Sequence, residues 1–288
     1  MTLRLTLLGT GTSFGVPQLG CRCAVCCSAD PRDKRSRTAA LIEMTVGRPA
    51  GRTVGGPHES AGSPTVLPSD RPTVLIDTPP ELRLQLLAAG VASIDAVLYT
   101  HEHADHVHGI DDLRAFSIPH GSLPLYGNAA TLEFLRESNR YIFDPTVAAF
   151  DGTSKPSLEL NLLEPGKPAM IAGLSVLPLA MSHGHSTVLG FRIGPLGYVT
   201  DAKQVAEPER EQLRGVDVLV LNALWWRPHP THLSLPEAIE TAHSIGARRT
   251  ILTHLSHQTG HAELASRLPP GIEPGYDGQI VEVGEHAS

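Results

Sequence analysis

The segment His-Glu-His-Ala-Asp-His, residues 101–106, limits the possible folds and chemistry of this chain more than any other feature. It directly follows a short apolar run that predicts a buried strand, so its polar groups lie where a strand gives way to a loop. Alternation at an extended strand end would point His101, His103 and Asp105 to one side, with His106 turning in beside them as a helix begins. Imidazole and carboxylate groups are suited to Zn, Fe or Mn. The spacing therefore indicates a metal site, with a solvated polar loop as the alternative.

Further candidate ligands follow three other strand-like runs. Asp201 comes after Gly-Tyr-Val-Thr, His254 after Thr-Ile-Leu-Thr, and His183 after an apolar run that starts at Leu177. Together with the first segment, this inventory fits two adjacent metals, the first held by His101, His103 and His183, and the second held by Asp105, His106 and His254. Asp201 would bridge the two metals, because each oxygen of a carboxylate can bind a different cation.

This set of residues resembles the metallo-β-lactamase superfamily, and flanking motifs narrow the resemblance. The motifs are Leu-Gly-Thr-Gly-Thr-Ser at 8–13, Gly-Cys-Arg-Cys-Ala-Val-Cys at 20–26, Ile-Leu-Thr-His-Leu-Ser-His-Gln at 251–258, and the ending at 268–278. They resemble the branch that contains the phosphoribosyl 1,2-cyclic phosphate phosphodiesterase of phosphonate breakdown. The resemblance covers essentially the whole chain apart from about 47–72, and it implies an α/β fold, the αββα four-layer sandwich.

The order of predicted elements agrees with that layering. Helical periodicity is clearest at 80–89, before Gly90, and at 234–243, where Ser234 and Glu237 form a capping box. Strand-like runs are predicted at about 3–9, 38–46, 73–77, 95–100, 123–126, 174–179, 188–193, 197–200, 217–221, 249–253 and 279–283. Alternating elements suit two sheets between layers of helices. We expect residues 1–288 to form one hydrolase domain, with a flexible hairpin insertion at about 47–72 that is rich in Gly, Pro, Ser and Thr.

The resemblance also assigns roles to single residues. His183 rather than His185 matches the family's spacing to its ligand. His232 lies where the cyclic phosphodiesterases carry a further active-site histidine, which implies a catalytic role beside Asp105; a neighbour of the helix cap is the alternative. Asp77 is implied to orient the histidine loop by hydrogen bonds rather than to bind metal.

All four cysteines fall within residues 21–27, and the chain starts with a strand-like run rather than an apolar signal segment. We therefore expect a cytoplasmic protein, in which clustered thiols more often bind metal than form disulfides. Cys21, Cys23 and Cys26 supply three of the four ligands that a structural Zn requires. The family pattern implies His257 as the fourth. Free structural or redox-sensing thiols are the alternative.

Composition and net charge limit the classes of binding partner that we expect. The net charge is −7 and the isoelectric point about 6.1, so the chain offers no general basic surface for nucleic acid. No run of 18 apolar residues is present to span a membrane. The expected partner is a small phosphodiester, without membrane or nucleic acid, and a homodimer is an expected assembly.

The expected activity is that of a dinuclear metal-dependent phosphodiesterase. Two divalent metals, Mn or Zn, would share a hydroxide that attacks phosphorus in a small cyclic phosphodiester, such as 5-phosphoribosyl 1,2-cyclic phosphate. One structural Zn would be separate from this pair. A ribonuclease Z-like RNA phosphodiesterase shares the ligand set but normally needs a basic tRNA-gripping arm. A non-catalytic metal-binding scaffold is the alternative from another class.

Overall fold

The computed structural model describes residues 2–45, 71–147, 150 and 152–284. The predicted insertion at about 47–72 lies outside the described residues, except for its last two positions. The strands of the described residues are β1 (Thr2–Gly9), β2 (Ala39–Thr45), β3 (Thr73–Ile76), β4 (Ala96–Leu98), β5 (Leu123–Gly127), β6 (Leu158–Leu162), β7 (Ala169–Ile171), β8 (Leu174–His183), β9 (Ser186–Ile193), β10 (Leu196–Val199), β11 (Val218–Asn222), β12 (Arg249–Thr253), β13 (Ile272–Pro274) and β14 (Gln279–Gly284). The α-helices are α1 (Leu82–Ala89), α2 (Ala104–Val107), α3 (Arg114–His120), α4 (Ala129–Ser138), α5 (Arg140–Phe143), α6 (Glu207–Leu213), α7 (Leu235–Ile245) and α8 (His261–Arg267).

The strands form two seven-stranded sheets, in the orders β14-β1-β2-β3-β4-β5-β6 and β13-β12-β11-β10-β9-β8-β7. Each sheet is mixed. In the first sheet, β3 to β6 run parallel, and in the second sheet β10 to β13 run parallel. The remaining pairs are antiparallel, including the long β8–β9 hairpin.

Three apolar cores show that the sheets are packed face to face and covered on their outer faces. Val74 and Ile76 of β3 belong to a core shared with Phe191 of the second sheet, whereas Leu75 belongs to a core shared with Leu82 of α1. A third core joins the outer face of the second sheet to α6, α7 and α8. Strands buried on both faces read as continuous apolar runs, as these do. The predicted αββα sandwich is confirmed.

The two predicted helices are present. The first spans Leu82–Ala89 and is followed by Gly90, whose φ of 66° lies in the left-handed region that glycine adopts without strain. The second follows Ser234, and the predicted capping box with Glu237 is formed in both directions. The sequence patterns do not predict β6, β7 and β13. Each is an edge strand with a neighbour on only one side, so less of its surface must be apolar.

The fold brings several strand ends to one place. Residues that follow the parallel strands β3 and β4 of one sheet lie close to residues that follow β10 and β12 of the other. The amide of Leu189 in β9 donates to the carbonyl of Thr100 just beyond β4, at 2.8 Å. Gly11 forms a parallel bridge with Leu255, which follows β12. Loops after distant strands therefore share one surface. Within the described residues, no helix has both the length and the apolar character needed to cross a membrane.

Candidate metal centres

Three polar residues near strand ends adopt positive φ, although none is glycine. The values are 62° for Asp77, 57° for Asp201 and 56° for His254. Such a backbone costs about 1–3 kcal/mol for a residue with a side chain, and it persists only where the surrounding structure imposes it. In each case the chain turns sharply after β3, β10 or β12, and the side chain is buried at the edge where the strands end. The local strain thus coincides with two predicted ligands, Asp201 and His254, and with Asp77, which is predicted to orient the histidine loop.

The residues predicted for the two active-site metals form two adjacent groups. In each group, ligand atoms lie within 4.8 Å of one another, and the groups are His101, His103 and His183, and Asp105, His106, Asp201 and His254. Asp201 faces both groups with different oxygens. Its Oδ2 lies 3.9 Å from His101 Nε2, whereas its Oδ1 lies 3.4 Å from His106 Nε2 and 3.3 Å from His254 Nδ1. This is the placement expected of a bridging carboxylate.

The ring nitrogens at the centre lack ordinary partners. Among the described residues, neither His101 Nε2 nor His106 Nε2 has a hydrogen-bond partner, and both atoms are shielded from solvent. Buried polar atoms are nearly always satisfied, so such orphans need an explanation. Imidazole nitrogens and carboxylate oxygens are a donor set that divalent cations accept. The residues present therefore fit a pair of metal ions.

The electrostatics of the cluster also favour cations. Burial disfavours the His106 imidazolium, but the carboxylates of Asp201, Asp77 and Asp105 outweigh it and raise the pKa of His106 well above its ordinary value. Burial lowers the pKa of His254 to about 4 and moves the pKa of His101 well below its ordinary value, so both rings are neutral and have a free lone pair. Three carboxylates thus attract positive charge to a site in which the rings of His101 and His254 are neutral.

Hydrogen bonds fix the orientation of the ligands. Asp77 accepts from His106 Nδ1 at 2.7 Å and from both the amide and the hydroxyl of Thr100 at 2.8 Å. Since Nδ1 is engaged, His106 presents Nε2 to the cluster. His183 Nδ1 lies 3.0 Å from the carbonyl oxygen of Thr231, to which it donates, whereas His185 is exposed in the β8–β9 hairpin.

His232 lies beside the bridging carboxylate. Its Nε2 is 3.1 Å from Asp201 Oδ2, and its Nδ1 is 2.8 Å from Thr231 Oγ1 and 3.2 Å from His229 Nδ1. It also lies within ligand distance of His183 and Asp201, so the geometry admits metal binding as well as proton transfer. No sequence motif marks His229 or Thr231, because their contacts with His232 and His183 arise only when the loop before α7 folds over β8.

The thiol cluster is equally well formed. The Sγ atoms of Cys21, Cys23 and Cys26 lie 3.4, 3.4 and 3.5 Å from His257 Nδ1. Tetrahedral Zn with ordinary Zn–S and Zn–N bonds would separate sulfur and nitrogen by about 3.6 Å, so the set fits one closed four-ligand site. A hydrogen bond from the Cys26 amide lowers the pKa of Cys23 to about 6, which favours its thiolate. Cys27 is exposed and outside the cluster.

Comparisons with known proteins agree with this architecture. Residues 72–255 match the family model described as a beta-lactamase superfamily domain. The crystal structure of a diphosphatase from the PhnP family superposes with a TM-score of 0.82 at 35% identity, covering 98% of this chain and 97% of that one. Ribonuclease Z of Methanopyrus kandleri is 27% identical over 73% of this chain and 87% of its own length.

An octanoyltransferase of Porphyromonas gingivalis is 40% identical over 278 residues, which are 96% of this chain. The chain spans only 51% of the length of that relative. The family match, the sandwich of two sheets and the paired ligand groups lead to one conclusion. The chain belongs to the beta-lactamase superfamily.

Proposed function

We propose that the protein is a dinuclear metal-dependent phosphodiesterase that hydrolyses a small cyclic phosphodiester, such as 5-phosphoribosyl 1,2-cyclic phosphate. The observation that carries this proposal is the placement of Asp201, whose two oxygens face different ligand groups. Two adjacent cations suit a phosphodiester, since both can share the charge of its nonbridging oxygens. The 35% identity to a structure named as a diphosphatase supports phosphorus chemistry at this site.

The ligands divide between the cations as the two groups in the structure do. His101, His103 and His183 would hold one metal, Asp105, His106 and His254 the other, and Asp201 both. Mn and Zn both accept this donor set. When bound, the cations supply Lewis acidity: they lower the pKa of water and offset negative charge on the phosphoryl group.

Two side chains of the protein, Asp105 and His232, would orient the attacking water and donate a proton to the leaving oxygen. Asp105 Oδ2 lies 3.4 Å from His106 Nε2, at the edge of the ligand group where its carboxylate can orient an attacking water. His232 faces the other side of Asp201, and its half-buried ring is held through Nδ1. As the new O–P bond forms and the bond to the sugar oxygen breaks, His232 Nε2 is placed to donate a proton to that oxygen.

The thiol cluster has a separate role in this proposal. Cys21, Cys23, Cys26 and His257 would hold a structural Zn, with no position left for substrate or water. That metal would tie the N-terminal loop to the loop after β12. A cytoplasmic location is consistent with it, because a reducing compartment keeps the thiols available.

Three alternative functions, two enzymatic and one non-catalytic, are less well supported. A ribonuclease Z-like activity shares the ligands, but the net charge of −7 gives no general attraction for RNA. The name of the octanoyltransferase relative describes a protein about twice as long as the matched region. Within the part of the chain that the structure describes, no cysteine lines the cavity at His232 to act as an acyl-carrying nucleophile. A non-catalytic scaffold would bind metal without turnover.

A substrate panel tests the proposal. The purified protein, loaded with Mn or Zn, is assayed with 5-phosphoribosyl 1,2-cyclic phosphate, 2′,3′- and 3′,5′-cyclic nucleotides, bis(p-nitrophenyl) phosphate, p-nitrophenyl phosphate, a β-lactam and pre-tRNA. We expect turnover of cyclic and chromogenic diesters but not of the monoester or the β-lactam. Bound metal without cleavage of any substrate would support the scaffold, and preferential cleavage of pre-tRNA would support the RNA phosphodiesterase.

A further inference from the structure

Arg35 lies just before β2, and only 1% of its surface is exposed. Removing a charge from water is unfavourable unless other groups compensate for the lost hydration. Burial lowers the pKa of Arg35, and the nearby carboxylate of Asp33 only partly opposes that effect. Oδ1 of Asp33 is 3.6 Å from the guanidinium, too far for a direct hydrogen bond, and accepts instead from the amide of His261 at 2.6 Å. One strong ion pair therefore does not account for this buried charge.

The guanidinium of Arg35 donates to the backbone of the loop after β12. Its Nη1 donates to the carbonyl of Ser256 at 2.6 Å, and its Nη2 donates to the carbonyl of Thr259 at 3.2 Å. These carbonyls lie on either side of His257 in the chain, and Ser256 is two residues from His254. One rigid, planar group thus fixes two points of the segment that carries a ligand of each candidate metal centre.

This segment needs such support, because His254 has a φ of 56°. A residue with a side chain keeps that conformation only where the surrounding structure imposes it. Directly after His254, the amide of Leu255 donates to the carbonyl of Thr10 at 2.8 Å. Arg35 supplies the donors for two buried carbonyls further along the same loop. Without its side chain, those carbonyls would lose a buried donor, and the loop would lose part of what holds the strained turn.

The main chain of Arg35 holds the N-terminal loop at the same time. Its amide donates to the carbonyl of Val16, and the amide of Val16 donates to the carbonyl of Arg35, both at 2.7 Å. Val16 lies five residues before Cys21 in the chain. Arg35 therefore connects the segment that leads to the thiols with the loop that carries the two histidine ligands.

We infer that Arg35 is a positioning residue for both metal centres, and that it holds His254 and His257 in place through the backbone of the loop they share. This inference rests on the metal sites of the proposed function and not on the substrate. The two centres keep separate ligands, so the loss of one ligand empties one centre. The loss of Arg35 weakens both.

Chelator resistance tests the inference. Arg35→Met removes both donors and keeps a long side chain. The metal-loaded protein is dialysed against rising chelator concentrations, the total metal retained is measured, and a thiol reagent counts the cysteines that have lost their metal. We expect Arg35→Met to release metal from both centres at chelator concentrations about tenfold or more below those of the parent protein.

The thiol count shows which centre has lost its metal. The chain has four cysteines, of which Cys27 is exposed and outside the cluster. One thiol should therefore react in the metal-loaded parent protein. At the same chelator concentration, all four should react in Arg35→Met.

A second variant keeps the test informative if Arg35→Met does not fold. Arg35→Lys retains a positive charge and a donor group but lacks the planar fork that reaches two carbonyls. We expect both centres of Arg35→Lys to release metal at intermediate chelator concentrations. Parental metal retention at both centres in Arg35→Lys would overturn the inference.

A control separates positioning from general stability. Val283 is buried in β14 and pairs with Leu3 near the beginning of β1, whereas the loop of the metal ligands meets the chain beyond the other end of β1, where Gly11 bridges Leu255. Val283→Ala should lower the melting temperature but keep parental metal retention and one reactive thiol. A lower melting temperature in Arg35→Met with parental metal retention, or metal loss confined to one centre, would overturn the inference.

None of these measurements uses a substrate. A parent protein that binds its metals but cleaves no phosphodiester would overturn the proposed function alone, and the chelator series would still decide the role of Arg35.

Discussion

The two candidate metal centres are built in opposite ways, although His254 of one and His257 of the other lie in the same loop. The His/Asp centre collects ligands from the ends of β4, β8, β10 and β12 and from α2, all of them buried except His103, and two of its ligands have positive φ. The thiol cluster takes three of its four ligands from residues 21–26, and only Cys26 among them is fully buried. One centre depends on the whole fold, and the other depends on a loop and one histidine.

This difference in construction indicates different roles: chemistry at the His/Asp centre and structural support at the thiol cluster. The strained, buried centre leaves the Nε2 atoms of His101 and His106 without hydrogen-bond partners among the described residues, beside a cavity that can admit substrate. The thiol cluster is closed on itself, since all three sulfurs meet a single nitrogen of His257. A closed four-ligand site holds structure, whereas a site with room for another ligand can carry out chemistry.

The largest effect is expected from removing the bridge. Asp201→Ala takes away the carboxylate that both ligand groups face, so it should lower kcat/KM for bis(p-nitrophenyl) phosphate by about a thousandfold or more. Metal analysis should show loss of both active-site ions with the thiol-bound Zn retained. Two tightly held active-site ions in Asp201→Ala would exclude this residue as the bridge.

A substitution in the loop that both centres share tests whether the two centres bind their metals independently. His254→Ala removes a ligand of the His/Asp centre, and we expect it to lower turnover by about a hundredfold or more. One Zn should remain on the thiolates, and the melting temperature should change little. Simultaneous loss of the thiol-bound Zn would show that the two centres are not independent.

An intermediate effect is expected from the residue that orients His106. Asp77→Asn weakens the hydrogen bond that holds Nδ1 of that ring, so metal affinity and activity should fall by about 10- to 100-fold. Because the ligands themselves remain, excess metal should restore much of the activity. Failure of added metal to rescue Asp77→Asn, with a normal metal content, would point to a folding defect.

The smallest effect on turnover is expected at the thiol cluster. His257→Ala removes the fourth ligand, and we expect the melting temperature to fall by about 5–10 °C as the N-terminal loop loses its tether. Turnover at 25 °C should fall only a few-fold, mainly through KM, because Gln18 of that loop lines the cavity. His243→Ala, at an exposed helical position, serves as the control. Unchanged Zn content and stability in His257→Ala would leave Cys21, Cys23 and Cys26 as simple thiols.

Local sequence was enough to predict much of this protein. The continuous apolar runs indicate the central strands, because strands covered on both faces must be apolar throughout. The capping box at Ser234 and the ligand spacing at 101–106 are local patterns and were readable for the same reason. The strand-like runs before His183, Asp201 and His254 indicated the distant ligands. The resemblance to a known superfamily favoured His183 over His185 and paired His257 with the cysteines.

Other features exist only in three dimensions. The division of the Asp201 oxygens between two ligand groups depends on sharp turns after separate strands, which no local pattern encodes. The contacts of His229 and Thr231 arise from a loop folded over β8, and the cavity is formed by Phe14 and Trp225, which are far apart in the chain. Sequence alone determined which groups are available and which segments are strands, because those properties are local. The tertiary structure decided which groups meet, because that depends on how the two sheets pack and where their strands end.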